Sequence, residues 1–278
     1  MTAAVDPRRS LARPDVAAAI DPSPAEVICG LAPLLPAPDA AGLAAELRLG
    51  ERVRVAETRG DLVRLQRVRD RYVGWAPVAA LGPVGAPPTH RVAAPLAHIY
   101  LAPDIKTRPR DIAPMGALLA GTPEGAFLRT QHGFVPLAAL VPADAPAPDP
   151  VDTALSLLGA PYLWGGESAL GVDCSGLVQL SHPGAPRDSD MQAAEVGAPL
   201  PNPWTDPDLG APADLRRGDL IFWRGHVGML LDADTLLHAN ATHMRVTQEP
   251  LAPAIVRIAA SATAAGTGAG LPTALRRP

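Results

Sequence analysis

The sequence predicts an α+β chain in which two small antiparallel β-barrels precede a domain that runs helix first and strands after. Three observations carry that prediction. Short apolar-alternating runs recur at roughly ten-residue spacing before residue 142. A proline-rich run, Pro142 to Pro150 (PADAPAPDP), then interrupts them as a stiff, extended linker. Beyond it a helical pattern comes first and a meander of strand-like runs follows. The 278 residues suffice for two or three domains, and at 47% hydrophobic and 19% charged they can bury sizeable cores. A net charge of −4 without a basic block excludes a nucleic-acid surface. No stretch approaches the roughly 20 apolar residues of a membrane span. Met1 to Ile20 lacks the apolar core and cleavage pattern of a leader, and two cysteines, Cys29 and Cys174, are too few for a disulfide framework. A cytoplasmic protein is the expectation.

Taken in order, residues 1–24 read as a lead-in with a short helical piece near Ala12–Ile20, and residues 25–86 as the first barrel. Its strands are Arg52–Val55, Leu62–Leu65 and Tyr72–Ala76, with Gly50, Gly60-Asp61 and Asp70 supplying turns. Short, evenly spaced strands ending in aromatic-Gly-aromatic suggest an SH3-like barrel. Residues 87–142 hold a weaker copy, with Ala97–Tyr100, Gly116–Leu119, Phe127–Thr130 and Gly133–Pro136. Residues 143–150 are linker. In the third domain, 151–260, a helix spans Val151–Leu158 with Asp149 or Asp152 near its start. Residues 182–217 read as loop-rich, and strands follow at Leu220–Trp223, His226–Leu231, Leu236–Ala239, Met244–Thr247 and Ala254–Ile258. The Ala/Gly-rich end, 261–278, reads as a flexible tail.

The chemistry centres on Gly171-Val172-Asp173-Cys174-Ser175-Gly176-Leu177-Val178. Leu177 and Val178 follow Cys174 at helical spacing, so the cysteine opens a helix. Unpaired N–H groups and the dipole there favour an anion, which is one way to lower a cysteine pKa. A small buried hydrophobe is the bland alternative. A thiolate needs a base, and the base an orienting group. His226 and His238 lie on successive strands at an even separation, so a hairpin with its tip near Asp232 puts them side by side on one face. Apolar Val227, Gly228, Met229 and Leu230 follow His226 and bury its ring, which then needs partners. His90, His98, His132, His182 and His243 carry no such signal. A metal site of His226, His238, His243 and Cys174 is the rival, although zinc sites usually show closer pairs. No cofactor is expected.

With Pro161-Tyr162-Leu163-Trp164-Gly165-Gly166 ahead of this stretch, and Arg217-Gly218-Asp219-Leu220 and Gly225-His226-Val227-Gly228 behind it, residues 150–258 resemble the NlpC-type papain-like cysteine peptidases that cleave peptidoglycan stem peptides. The resemblance implies Cys174 as nucleophile, His226 as base, His238 as third polar residue and Tyr162 near the oxyanion. It also implies that Trp164, Asp173 and Ser175 meet substrate. The tandem SH3-like barrels resemble the subgroup that cuts γ-D-glutamyl–diamino-acid bonds in recycled muropeptides. For that subgroup Asp188 and Ser189 hold the substrate's free amine, and Tyr72 (or Trp75 or Tyr100) and Glu46 (or Glu51) close the site. The expected reaction is hydrolysis of the γ-D-Glu–diaminopimelate bond of a stem peptide with free N-terminal L-Ala, the partner being L-Ala-γ-D-Glu-diaminopimelate. A non-catalytic wall-binding module, and an amidase or acyltransferase on the same fold, are the alternatives; product masses from stem-peptide digestion separate all three.

Overall fold

A computed structural model describes residues 6–11, 23–204, 214–261 and 269–278, in two compact units. The helical piece expected near Ala12–Ile20 lies outside the described residues. The first unit runs to Pro146 and takes in Trp164–Ala169; the second holds Ala147–Leu163 and Leu170–Pro278.

In the first unit, Ser23–Val27, Arg52–Arg59, Leu62–Arg67, Val73–Pro77 and Leu81–Gly82 form one antiparallel sheet, curled over the hairpin of Leu31–Leu34 with Ala45–Arg48. Strict alternation along Leu62–Arg67 turns Val63, Leu65 and Arg67 inward. The first two fill the barrel; the third places a guanidinium in its interior. The second barrel is built from His90–Val92, Leu96–Tyr100, Pro109–Pro114, Leu118–Leu119, Gly121–Glu124, Phe127–Thr130, Gly133–Pro136 and Leu140–Pro142. Each barrel closes alike: Trp75-Ala76-Pro77 and Phe134-Val135-Pro136 each lead into one 3₁₀ turn and a short strand. The two share packing, since Leu49 sits in the second barrel's core beside Val92, Ile99, Leu119 and Leu128. Gly50 makes this approach possible: its φ is +78°, and a Cβ there would stand 2.0 Å from the Leu118 carbonyl oxygen.

In the second unit, helix α1 (Pro150–Leu155) is capped by Asp149, which accepts from the Val151 and Asp152 amides. Helix α2 (Cys174–Ser181) is buried along its length, and helix α3 (Ser189–Glu195) is tied to it by Gln192, whose Nε2 donates to the Ser175 carbonyl at 2.9 Å. The expected loop-rich stretch 182–217 therefore contains a helix and a strand, Ala198–Leu200. A six-stranded antiparallel sheet runs Ala198–Leu200, Ala274–Arg277, Leu220–Trp223, His226–Leu230, Thr235–Asn240, Arg245–Pro250. Helix α2 packs on its His226–Leu230 and Thr235–Asn240 strands.

Two expectations are corrected. Ala254–Ile258 is not a strand but part of helix α4 (Leu251–Ala260), whose buried residues Leu251, Ala254, Ile255 and Ile258 follow the helical period while Val256 is exposed. Read from Ala254 alone, the five residues Ala-Ile-Val-Arg-Ile are too few to tell the helical period from a short apolar strand. The chain's end is not uniformly a flexible tail: Ala274–Arg277 pairs with strands on both sides, Leu275 is buried in the core, and Arg277 forks onto Asp219 at 2.7–2.8 Å. Among the described residues no helix is long and apolar enough to cross a membrane.

Candidate active site

Helix α2 begins where Asp173 caps it, its Oδ1 accepting from the Gly176 amide at 2.7 Å. Cys174 is the first helical residue and is buried. The backbone N–H groups of Val227 and Ser175 both reach its sulfur. The cap is itself anchored: Arg187 Nη2 donates to Asp173 Oδ2 at 2.6 Å, and Arg187 Nη1 to Ser175 Oγ at 2.7 Å and to Asp173 Oδ1 at 3.1 Å. All three side chains are buried, so this bidentate pair fixes the start of the helix that carries the sulfur.

Trp223 pairs with His226 at the hairpin between two sheet strands, and Met229 pairs with Leu237 on the next. That register brings His226 Nε2 to 2.8 Å from His238 Nδ1. The rings lie edge to face at 5.0 Å, and Trp223 flanks His226 at 5.6 Å. His238 is fully buried, and its Nε2 stands 2.6 Å from Glu249 Oε1. The carboxylate also meets Arg257 Nη2 from α4, and Arg257 Nη1 donates to Thr242 Oγ1 at 2.9 Å. Asn240 Nδ2 stands 3.0 Å from His238 Nε2, and its Oδ1 accepts from the His243 amide at 2.9 Å.

Burial pushes the Cys174 thiol up to about 12, with the Asp173 carboxylate acting in the same direction and the two N–H groups opposing. Burial, then His238, pushes His226 down to about 3. At rest Cys174 is thus a thiol and His226 a neutral imidazole. This corrects the expected low-pKa thiolate: the helix terminus acts on the sulfur, but loss of water and a neighbouring carboxylate outweigh it. The proton has to move during attack.

Residues 159–258 match the NlpC/P60 family and residues 34–81 the bacterial dipeptidyl-peptidase Sh3 domain. The chain carries an NlpC/P60 domain. A dipeptidyl-peptidase 6 of Lysinibacillus sphaericus is 37% identical over 92 residues, 32% of this chain and 31% of that protein, so the chain matches about a third of that relative's length. A gamma-D-glutamyl-L-lysine dipeptidyl-peptidase of Bacillus cereus is 27% identical over 244 residues, 73% of this chain and 69% of that protein. The crystal structure of an NlpC/P60 family protein from Bacillus cereus superposes with a TM-score of 0.70 over 92% of this chain and 99% of that one, at 22% identity, and shows the same fold.

Within the NlpC/P60 domain, Tyr162 is half-buried and donates its amide to the Met244 carbonyl at 3.0 Å. Burial, then Cys174 and Asp173, raise its phenol, which therefore stays protonated and able to donate. Asp188 flanks the start of α3, one residue from Arg187, and Ser189 opens that helix, buried. Trp164 belongs with the first unit and is 68% exposed. In that unit Tyr72 is buried with the Arg67 guanidinium 5.4 Å from its ring centre, and Glu46 Oε2 accepts from the Glu167 amide at 2.7 Å. His243 bonds Asn240 Oδ1 through its ring at 3.0 Å, and among the described residues no group of three or more His, Cys, Asp or Glu is arranged to hold a metal ion.

Sequence reasoning missed Glu249, Arg257 and the anchoring role of Arg187. A signal existed for the first. His238 pairs with Thr247, so Glu249 lies on the same sheet face, diagonal to His238. The expected strand ended at Thr247, two residues short.

Proposed function

We propose that the chain is a cysteine endopeptidase that hydrolyses the γ-D-Glu–diaminopimelate bond of peptidoglycan stem peptides bearing a free N-terminal L-Ala. The observation that carries this is the 2.8 Å His226–His238 pair set against a cysteine that opens a helix. A buried structural cysteine requires neither histidine. The B. cereus relative is named for a γ-D-glutamyl-L-lysine bond and for dipeptide release, and cleavage of L-Ala-γ-D-Glu-diaminopimelate at the γ-bond also releases a dipeptide.

His226 takes the Cys174 proton as sulfur attacks the γ-carbonyl, so charge separates only in the encounter complex. Backbone N–H groups at the start of α2 and the Tyr162 hydroxyl meet the developing oxyanion. The imidazolium then protonates the leaving amine, and water, deprotonated by the same ring, releases the dipeptide. A substrate ammonium entering the cleft loses hydration and needs a carboxylate, the role given to Asp188. Peptides that begin with free L-Ala are then cut and N-acetylated or muramyl-linked ones are not, which suits recycling in the cytoplasm. The test is digestion of L-Ala-γ-D-Glu-diaminopimelate, its L-lysine analogue and their N-acetylated forms, with products identified by mass. Equal cutting of free and acetylated peptides contradicts the specificity.

A further inference from the structure

We propose that Glu249, clamped by Arg257 from helix α4, is a positioning residue that fixes the tautomers of both active-site histidines and so aims the lone pair of His226 at the thiol. The inference rests on the cysteine-peptidase reading and adds to it a third and fourth link behind the histidine pair.

The argument is one of proton counting. An ionised carboxylate can only accept, and Glu249 is ionised: the hydrogen bond from His238 comes first in holding its carboxyl low, and Arg257 adds to it. The 2.6 Å contact from Glu249 Oε1 to His238 Nε2 therefore requires a proton on Nε2. A neutral His238 then has its lone pair on Nδ1, which faces His226 Nε2 at 2.8 Å. That contact is a hydrogen bond only if His226 Nε2 is protonated. The remaining lone pair of His226 then sits on Nδ1, the ring nitrogen left free to act as the base. Asn240 turns its Oδ1 to the His243 amide and so leaves its Nδ2, a donor, 3.0 Å from His238 Nε2. That donor favours a lone pair on Nε2, but the Arg257-held carboxylate at 2.6 Å is the stronger, charged partner and keeps the proton there, so the Asn240 approach is not a hydrogen bond.

Arg257 keeps the carboxylate in this orientation. It joins Glu249 through Nη2 and ties back to Thr242 through Nη1. The charged and titratable groups that act on the pair are Glu249 and Arg257 on both rings, His243 on His238, and His238 on His226. Burial lowers both histidines, and Glu249 is the group that raises them again. When Cys174 S–H gives its proton to His226 Nδ1, the imidazolium keeps its Nε2–H on His238, and Glu249 supplies a negative charge behind the pair. No proton need leave Glu249's partner for this to work.

The test uses the full chain with Glu249→Gln and Glu249→Asp. The amide of Glu249→Gln can donate to His238 Nε2 and so permits the opposite tautomer in both rings. Peptide hydrolysis should lose roughly 10²-fold in kcat with KM nearly unchanged, near the upper end for partners one shell removed and well short of the 10⁴ lost when the base's own carboxylate is neutralised. Glu249→Asp should recover most of that loss. Two readouts need no substrate. Nitrogen-15 NMR of histidine-labelled wild type should show His226 and His238 both protonated on Nε2, with a mixture in Glu249→Gln. Iodoacetamide alkylation of Cys174, followed by peptide mapping, should slow at neutral pH in Glu249→Gln, its midpoint moving to higher pH. Should wild type leave every stem peptide intact, the peptidase reading fails while tautomers and alkylation still decide this one. Should Glu249→Gln not fold, the wild-type tautomers and Glu249→Asp decide it. Nδ1-protonated His226 in the wild type, or unchanged tautomers and alkylation in folded Glu249→Gln, overturns the proposal.

Discussion

Two buried polar clusters of this protein, one in each compact unit, obey opposite rules. In the first unit Arg67, fully buried at an inward strand position, bonds Asp70 and donates to Glu167 Oε2 at 2.6 Å. Arg69 adds Nε to Glu51 Oε1 at 2.7 Å and Nη2 to Glu167 Oε2 at 2.8 Å. Burial alone would raise the Asp70 carboxyl, but Arg67 and Arg69 outweigh it and hold it low. In the second unit Cys174 and His226 are also short of water, and the opposite charges that act on them, Arg187 on the thiol and Glu249 on the ring, do not outweigh their burial. One is pushed up and the other down, so both rest neutral. Matched charge keeps a buried network ionised and fixed. Unmatched burial keeps a pair neutral and leaves its proton free to move during a reaction. The first arrangement holds structure; the second is fitted to chemistry.

That contrast can be broken at several points. Cys174→Ala should abolish hydrolysis by about 10⁴-fold or more while leaving the thermal midpoint nearly unchanged, because the lost group carries no buried charge. Arg67→Met should do the reverse. It removes the cation buried between Asp70 and Glu167 and leaves them to Arg69, and urea unfolding should report a loss of about 3–5 kcal/mol. A loss below 1 kcal/mol would mean that the network is not what holds that interior. His238→Gln should cost roughly 10–100-fold in kcat, since glutamine can still accept from His226 but no longer links it to Glu249. Smallest is an effect of acid on stability. His132, His182, His226 and His238 all have folded values pushed down by burial. Below the unfolded value of about 6.5 the unfolded chain therefore binds more protons, and stability falls as pH drops from there toward the folded values. Denaturant midpoints at pH 7 and pH 5 check the sign, and a midpoint that rises on acidification contradicts it.

Much of the fold and the centre of the site can be read from residues whose pattern is local. The even His226–His238 separation, the turn at Arg224-Gly225 and the Gly-flanked Cys174 each state their geometry within a few neighbours. What could not be read depends on distant partners. Whether Arg67 is a surface charge or a core one depends on Glu167, one hundred residues away. Whether Ala254–Ile258 is strand or helix depends on Leu251 being counted in the same face. Ala274–Arg277 gains its strand from two neighbours far back in the chain. Glu249 was out of reach for a smaller reason, a strand end placed two residues early. The protonation state of Cys174 depends on how completely Val227, Ser175 and Asp173 enclose it, which no motif states.

The most direct measurement is mass analysis of L-Ala-γ-D-Glu-diaminopimelate after incubation with wild type and with Cys174→Ala. Wild type should yield L-Ala-D-Glu and free diaminopimelate, passing through an adduct on Cys174 one dipeptide residue heavier than the chain, and Cys174→Ala should yield neither product nor adduct. Free L-Ala as the first product, or turnover by Cys174→Ala, would contradict the account.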